Sequence, residues 1–361
     1  MQVFTFPLNE RGDAKLVVSV HNVPPMMGMP TPPTPALIHV PGGGFMACSE
    51  SDTEVIGGKL SAKGVGVICT YLYPCARNYR FPQVVIDLMR SIKIVRDHAK
   101  EWSVDPKKII ISGNSAGAFI CQSTGNLWNR PDLMEAAGCT GEEGKPDAMI
   151  LGFGPMFCGQ QVDDGKLTYV PNGDLVGDQT PPAFFHHARM DTLVSVYQAI
   201  AMIDAYERHK RPFGCFISGF GGHGETGGSS RMQGMDGTVG PCVDDWFDGC
   251  WNFLCNVLGL NQIPQKMMMM MGGPGAGGPG AGGPGAGGPG RPGPGGPGGP
   301  GSGGPGGGPG AGGPPMMMMN MPIPPEGSEP NGPDAMPFGQ ATEIHMPFNV
   351  GYKDKDFDTY K

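Results

Sequence analysis

Short runs of β-branched and aromatic residues alternate along the first part of the chain with longer segments whose apolar positions recur every three or four residues. The short runs Leu16–Val20, Leu37–Val40, Val65–Tyr71, Lys108–Ser112, Ala148–Phe153, Ala183–Ala188 and Cys215–Ser218 read as strands. Between them, Pro82 to Glu101 reads as a helix, because Val84, Val85, Leu88, Ile92 and Val95 fall on one face. Ala116–Trp128, Leu193–His209 and Val243–Leu258 are further helix candidates. Alternating strands and helices predict an α/β protein with a mostly parallel central sheet flanked by helices on both faces. Ligands of such sheets bind at the carboxyl ends of the strands, so functional residues are expected just after strands. After Leu260 the pattern stops.

Composition explains the stop. The 361 residues include 63 Gly, 39 Pro and 25 Met, and residues 272–315 alone hold 26 Gly and 12 Pro. That tract has almost nothing apolar to offset the entropy of ordering it. Three regions are expected: a folded domain over 1–266, a Met-flanked Gly/Pro-rich linker over 267–319, and a polar tail over 320–361, with linker and tail disordered. Collagen requires Gly at every third position over long stretches, and the five-residue period of the Gly-Gly-Pro-Gly-Ala repeat breaks that frame, so no triple helix is expected. Met267–Met271 and Met316–Met319 have no His or Cys beside them, which favours spacer over soft-metal ligand. No partner for the tail can be read from it.

Charge narrows the function further. The net charge is −8, with 25 Lys+Arg against 33 Asp+Glu, and neither part has the basic excess of a nucleic-acid binder. Met1 to Lys15 contains no apolar signal core, and no stretch of about 18 apolar residues suggests a membrane span. All ten cysteines lie before residue 256, without a Cys-x-x-Cys pair, and several sit in apolar runs, as Cys69 and Cys215 do. They read as reduced, buried thiols in a cytoplasmic protein rather than as a disulfide or metal framework.

The candidate chemistry follows the strands. Lys108–Ser112 runs into Gly113-Asn114-Ser115-Ala116-Gly117 and a helix, a Gly-x-Ser-x-Gly pattern that is weak alone in a glycine-rich chain. Its context gives it weight: a Ser between strand and helix sits on a tight turn that exposes the hydroxyl, and Gly113 and Gly117 leave it room. A Ser nucleophile needs a base, and the base needs an orienting carboxylate. Asp191 follows strand Ala183–Ala188, and His223 follows strand Cys215–Ser218. Asp174 and Asp178 are rival carboxylates, and His186 and His187 are rival bases, although both histidines sit within a strand run where core or edge roles are commoner. Pro41-Gly42-Gly43-Gly44-Phe45 follows Leu37–Val40, so the N–H of Gly43 or Gly44, with that of Ala116, could hold an oxyanion.

These motifs, in this order, resemble the α/β-hydrolase superfamily, and more narrowly acetyl esterases and acetyl-xylan-esterase-like lipases. Arg80-Phe81-Pro82 before a helix and Trp102-Ser103-Val104-Asp105-Pro106 before the nucleophile strand add to the likeness, which covers roughly residues 30–260. One departure is Pro41, where many lipases carry His; another is the Gly/Pro/Met-rich tail. The resemblance implies an eight-stranded hydrolase sheet and hydrolysis of short-chain acyl esters through an acyl-enzyme. Ser115, Asp191 and His223 are then catalytic, Gly43, Gly44 and Ala116 form the oxyanion hole, and no metal or organic cofactor is needed. The segment from Gly154 to Thr180 is short for a lipase lid, which favours small acyl groups, with acetylated sugars the preferred substrate. A dienelactone-hydrolase or oligopeptidase-like enzyme, and a catalytically silent binding module with an interaction tail, are the alternatives.

Overall fold

A computed structural model describes residues 1–21, 32–161, 167–234 and 237–260; the expected linker and tail lie outside them. Its frame is an eight-stranded sheet in the order β1-β2-β4-β3-β5-β6-β9-β10. The strands are β1 (Gln2–Pro7), β2 (Lys15–Val20), β3 (Thr34–Val40), β4 (Val67–Leu72), β5 (Val104–Asn114), β6 (Ala148–Gly152), β9 (Ala183–Ala188) and β10 (Phe213–Ser218). β1–β2 and β2–β4 pair antiparallel, and every other pair is parallel. All the strands read from the sequence are present, most with altered ends. β1 was missed because an edge strand in contact with solvent carries little apolar signal.

The apolar runs are continuous in the central strands because both faces of the sheet are covered. Along β5, Ile109 and Ile111 enter one core while Ile110 enters the other, and β6 and β9 divide in the same way at Met149/Ile150 and Phe185/Phe184. The first core is roofed by α2 (Gln83–Asp97), α3 (Ala116–Leu127) and α5 (Tyr197–Arg208). The second is roofed by α1 (Ser51–Ala62) and α6 (Phe247–Leu258). A short helix α4 (Pro131–Ala137) packs beside α2. The five apolar positions read on one face of α2 are all buried.

α1 escaped the sequence reading because Gly57 and Gly58 weaken its helical pattern. The structure supplies a reason for the first of them: a Cβ on Gly57 would stand 2.8 Å from Cγ2 of Ile68 on β4. The segment from Gly154 to Thr180, expected as loop, contains an antiparallel pair, β7 (Phe157–Gln161) and β8 (Leu167–Pro171). Among the described residues no helix is long and apolar enough to cross a membrane.

Candidate active site

Three parallel strands deliver the predicted residues to one end of the sheet. β5 ends at Asn114, and Ser115 turns the chain into α3 with φ 51° and ψ −118°. Such a conformation costs a non-glycine residue on the order of 1–3 kcal/mol, so its surroundings must impose it. They do so by close approach. A Cβ on Gly113 would lie 2.4 Å from the Gly117 carbonyl, and one on Gly117 would lie 1.9 Å from the Val40 oxygen. The Ser115 N–H is anchored to the Gly152 carbonyl of β6 at 2.8 Å. Its hydroxyl is left free to face the strand ends, beside the positive end of α3.

β10 leads into a glycine-rich turn that presents His223. Gly221 and Gly224 adopt φ 95° and 90°, and the Glu225 carboxylate accepts the Gly222 N–H at 2.7 Å, which fixes the turn. His223 Nε2 lies 2.9 Å from Ser115 Oγ, and Nδ1 lies 2.8 Å from Asp191 Oδ2. The Phe153 ring packs against the imidazole at 5.0 Å with its plane turned by 81°.

Asp191 follows β9, and its side chain is wholly buried. Oδ1 accepts the N–H groups of Leu193 and Val194 at 2.9 and 2.8 Å. Oδ2 receives His223 and also lies 3.3 Å from Nε2 of His187. Burial by itself would raise the pKa of Asp191. The hydrogen bonds from His187, His223 and the Val194 N–H outweigh it and hold the carboxyl well below the usual range. An ionised Asp191 draws the proton of His223 to Nδ1 and leaves the Nε2 lone pair for the Ser115 hydroxyl.

The rival residues separate cleanly. Asp174 and Asp178 are exposed, and the hydrogen bonds of His223 go to Asp191 and Ser115. His186 is buried, stacked on Trp246 at 4.1 Å and bonded to Thr226; burial pushes its pKa down to about 3. His187 does not bond Ser115, yet it is no mere core residue. Its Nε2 donates to the Val194 carbonyl at 2.8 Å and reaches Asp191, so it braces the turn that carries the carboxylate.

The glycine loop after β3 lies across from Ser115. Gly43 and Gly44 are exposed, with φ 129° and 61°. The N–H groups of Gly43, Gly44 and Ala116 have no hydrogen-bond acceptor among the described residues. The loop is held from outside: Asp52 accepts from the Gly42 N–H at 3.3 Å, and the Tyr73 hydroxyl donates to the carbonyls of Pro41 and Ala47 at 3.2 and 3.4 Å. Neither Asp52 nor Tyr73 belongs to a motif, so no local pattern marks them. Among the described residues, no group of three or more His, Cys, Asp or Glu side chains is placed to hold a metal ion. A hydroxyl, a base, an ionised carboxylate and unused N–H donors together are what acyl transfer requires.

A family model described as BD-FAE matches residues 26–156, a span that includes Gly43, Gly44 and Ser115 but ends before Asp191 and His223. The chain is 25% identical over 210 residues to Endo-1,4-beta-xylanase B of Butyrivibrio fibrisolvens, covering 53% of this chain and 32% of that protein. It is 28% identical over 123 residues to an acetylxylan esterase of Xylanibacter ruminicola, covering 32% of this chain and 22% of that one. An arylesterase of Saccharolobus solfataricus is also 28% identical over 123 residues, 34% of this chain and 40% of the relative. The chain thus spans less than half the length of each of these relatives. Among solved structures, an alpha/beta hydrolase enzyme from a Medee basin deep-sea metagenome library superposes with a TM-score of 0.56 at 23% identity, over 72% of this chain and 98% of that one. A carboxylesterase from Lactobacillus plantarum superposes with a TM-score of 0.52 at 22% identity, over 62% and 85%. The chain has the α/β-hydrolase fold.

Proposed function

We propose that the chain is a serine carboxylic-ester hydrolase acting on short-chain acyl esters, with acetyl groups on carbohydrates as the preferred substrate. The observation that carries this reading is the unbroken line from Ser115 through His223 to Asp191, with contacts of 2.9 and 2.8 Å. Ser115 Oγ attacks the ester carbonyl as His223 Nε2 takes its proton, and Asp191 stabilises the imidazolium that forms. The developing oxyanion accepts from the N–H of Gly43 or Gly44 and that of Ala116, an interaction worth roughly 3 kcal/mol per donor. His223 then returns the proton to the leaving alcohol, which departs and leaves the acyl group on Ser115. Water, deprotonated by His223, attacks that acyl group and regenerates the hydroxyl.

The carbohydrate part of the reading leans on the relatives, one named an acetylxylan esterase and another a xylanase. Hydrolysis of an aryl acetate tests the reaction, and acetate release from acetylated xylo-oligosaccharides tests the substrate. Ser115→Ala should lower kcat by about 10⁵-fold or more, since the residual rate comes from binding and the oxyanion donors alone. An inert wild-type protein, or an alanine variant with wild-type turnover, would refute the hydrolase reading. Turnover of the aryl ester without acetate release from the oligosaccharides would refute only the sugar assignment.

A further inference from the structure

The expectation that the cysteines are reduced, buried thiols holds in its burial for only some of them. Cys69, Cys121, Cys139, Cys242, Cys250 and Cys255 are buried, whereas Cys215 is exposed on β10. Cys48 and Cys75 are half-buried, 27 residues apart in sequence, and their sulfurs lie 3.6 Å from each other. Both thiols also reach the same acceptor, the Tyr73 carbonyl, at 3.7 and 3.3 Å. No step of the proposed hydrolysis uses either one.

Their placement gives the pair a role. Cys48 lies four residues beyond Gly44, on the glycine loop, and Cys75 lies just after β4. The same two segments are already tied by the Tyr73 hydroxyl to Pro41 and Ala47, and by the Ala76 N–H to the Phe45 carbonyl at 2.7 Å. The backbone therefore holds the thiols together without a covalent bond. A disulfide needs the sulfurs at about 2.05 Å, so closure requires the two sulfurs to approach by about 1.5 Å.

We propose that Cys48 and Cys75 are a redox-closable dithiol, a modification site that covalently staples the glycine loop to the segment after β4. The oxidant is a low-molecular-weight disulfide of the glutathione class. The Cys48 thiolate attacks one sulfur of that disulfide, its S–S bond breaks, and one small thiolate leaves and takes up a proton. Cys75 then gives up its proton and attacks Cys48 Sγ, expelling the second small thiol. Two protein thiols and one small disulfide become one protein disulfide and two small thiols. Either sulfur can donate in the hydrogen bond between the pair, and attack in the reverse order yields the same disulfide. With Cys75 donating, that bond raises the Cys75 thiol, with burial adding to it, and lowers Cys48, which becomes the readier thiolate.

The test is peptide mapping of the full chain, folded and without reductant, after treatment with oxidised glutathione. The expected product is a cross-linked peptide pair joining Cys48 to Cys75, with two hydrogens lost and the bond reversed by dithiothreitol. Cys75→Ser, treated alike, should stop at a glutathione adduct on Cys48. Wild-type protein that keeps both thiols free, or that retains glutathione on Cys48 without cross-linking, overturns the proposal. The mapping reads a bond and not turnover, so its outcome is independent of the hydrolase reading.

Discussion

Asp191, on the turn after β9, and Asp87, on helix α2, both carry carboxylates that solvent does not reach. Their ionisation differs in opposite directions. Asp191 accepts on both oxygens, from two backbone N–H groups and His223, with His187 Nε2 3.3 Å from Oδ2, and stays ionised well below the usual carboxylate range. Asp87 accepts on Oδ1 alone, from Gln83 at 2.7 Å and Arg90 at 3.1 Å, while Oδ2 has no partner among the described residues. Burial therefore wins at Asp87 and pushes its pKa up to about 6, against the pull of Gln83 and Arg90. A buried carboxylate keeps a low pKa when donors replace the lost water on both oxygens; at Asp87 the donors on one oxygen, Arg90 included, do not offset burial. At the strand ends those donors also set the direction in which Asp191 points, which is the property the proposed hydrolysis needs.

Between these two carboxylates, the larger expected effect comes from removing the charge where it is best supported. Asp191→Asn keeps the shape but offers His223 Nδ1 an amide, which no longer fixes the tautomer; kcat should fall on the order of 10³–10⁴-fold with little change in KM. Steady-state hydrolysis of an aryl acetate measures it. A loss smaller than tenfold would mean that another carboxylate orients His223 and that the donor set around Asp191 is only structural. A smaller effect is expected at His187. His187→Phe keeps a ring but deletes the bond to the Val194 carbonyl and the polar Nε2 contact 3.3 Å from Asp191 Oδ2. Loss of one such contact to a charged group should cost kcat roughly tenfold, with KM nearly unchanged. A variant with wild-type kcat would show that the remaining donors hold the carboxylate unaided.

Asp191 and His187 also mark the limit of what the sequence discloses. Ser115, Asp191 and His223 were legible because each follows a strand in the chain order typical of this fold, and because turn chemistry is local: Gly113 and Gly117 sit two residues either side of the Ser115 they make room for. The brace from His187 was not legible. It depends on the turn after β9 folding back so that a residue four positions earlier meets the carboxylate, which strand periodicity does not encode. Asp52 and Tyr73 hold the glycine loop from α1 and from the segment after β4, and such tertiary contacts leave no local pattern. The Cys48–Cys75 contact is of the same kind, since a spacing of 27 residues carries meaning only once β4 is known to lie beside β3.

The smallest expected effect belongs to the poorly supported carboxylate and appears in stability rather than turnover. The pKa of Asp87 is raised from 3.8 to about 6 in the folded state, so between about pH 4 and pH 6 the native protein holds a proton that the unfolded chain has released. Stability attributable to this group should thus fall as pH rises through that window and level off above it. The loss is on the order of 2–3 kcal/mol if the full shift is realised. Asp87→Asn cannot ionise, so it should flatten this part of the pH dependence while leaving kcat unchanged, because α2 contributes nothing to the strand-end site. Thermal unfolding of both proteins from pH 4 to pH 7, read as the difference in Tm at each pH, isolates the contribution of the one group. A difference that does not vary with pH would mean that Arg90 and Gln83 already keep Asp87 ionised, and that one well-served oxygen is enough to charge a buried carboxylate.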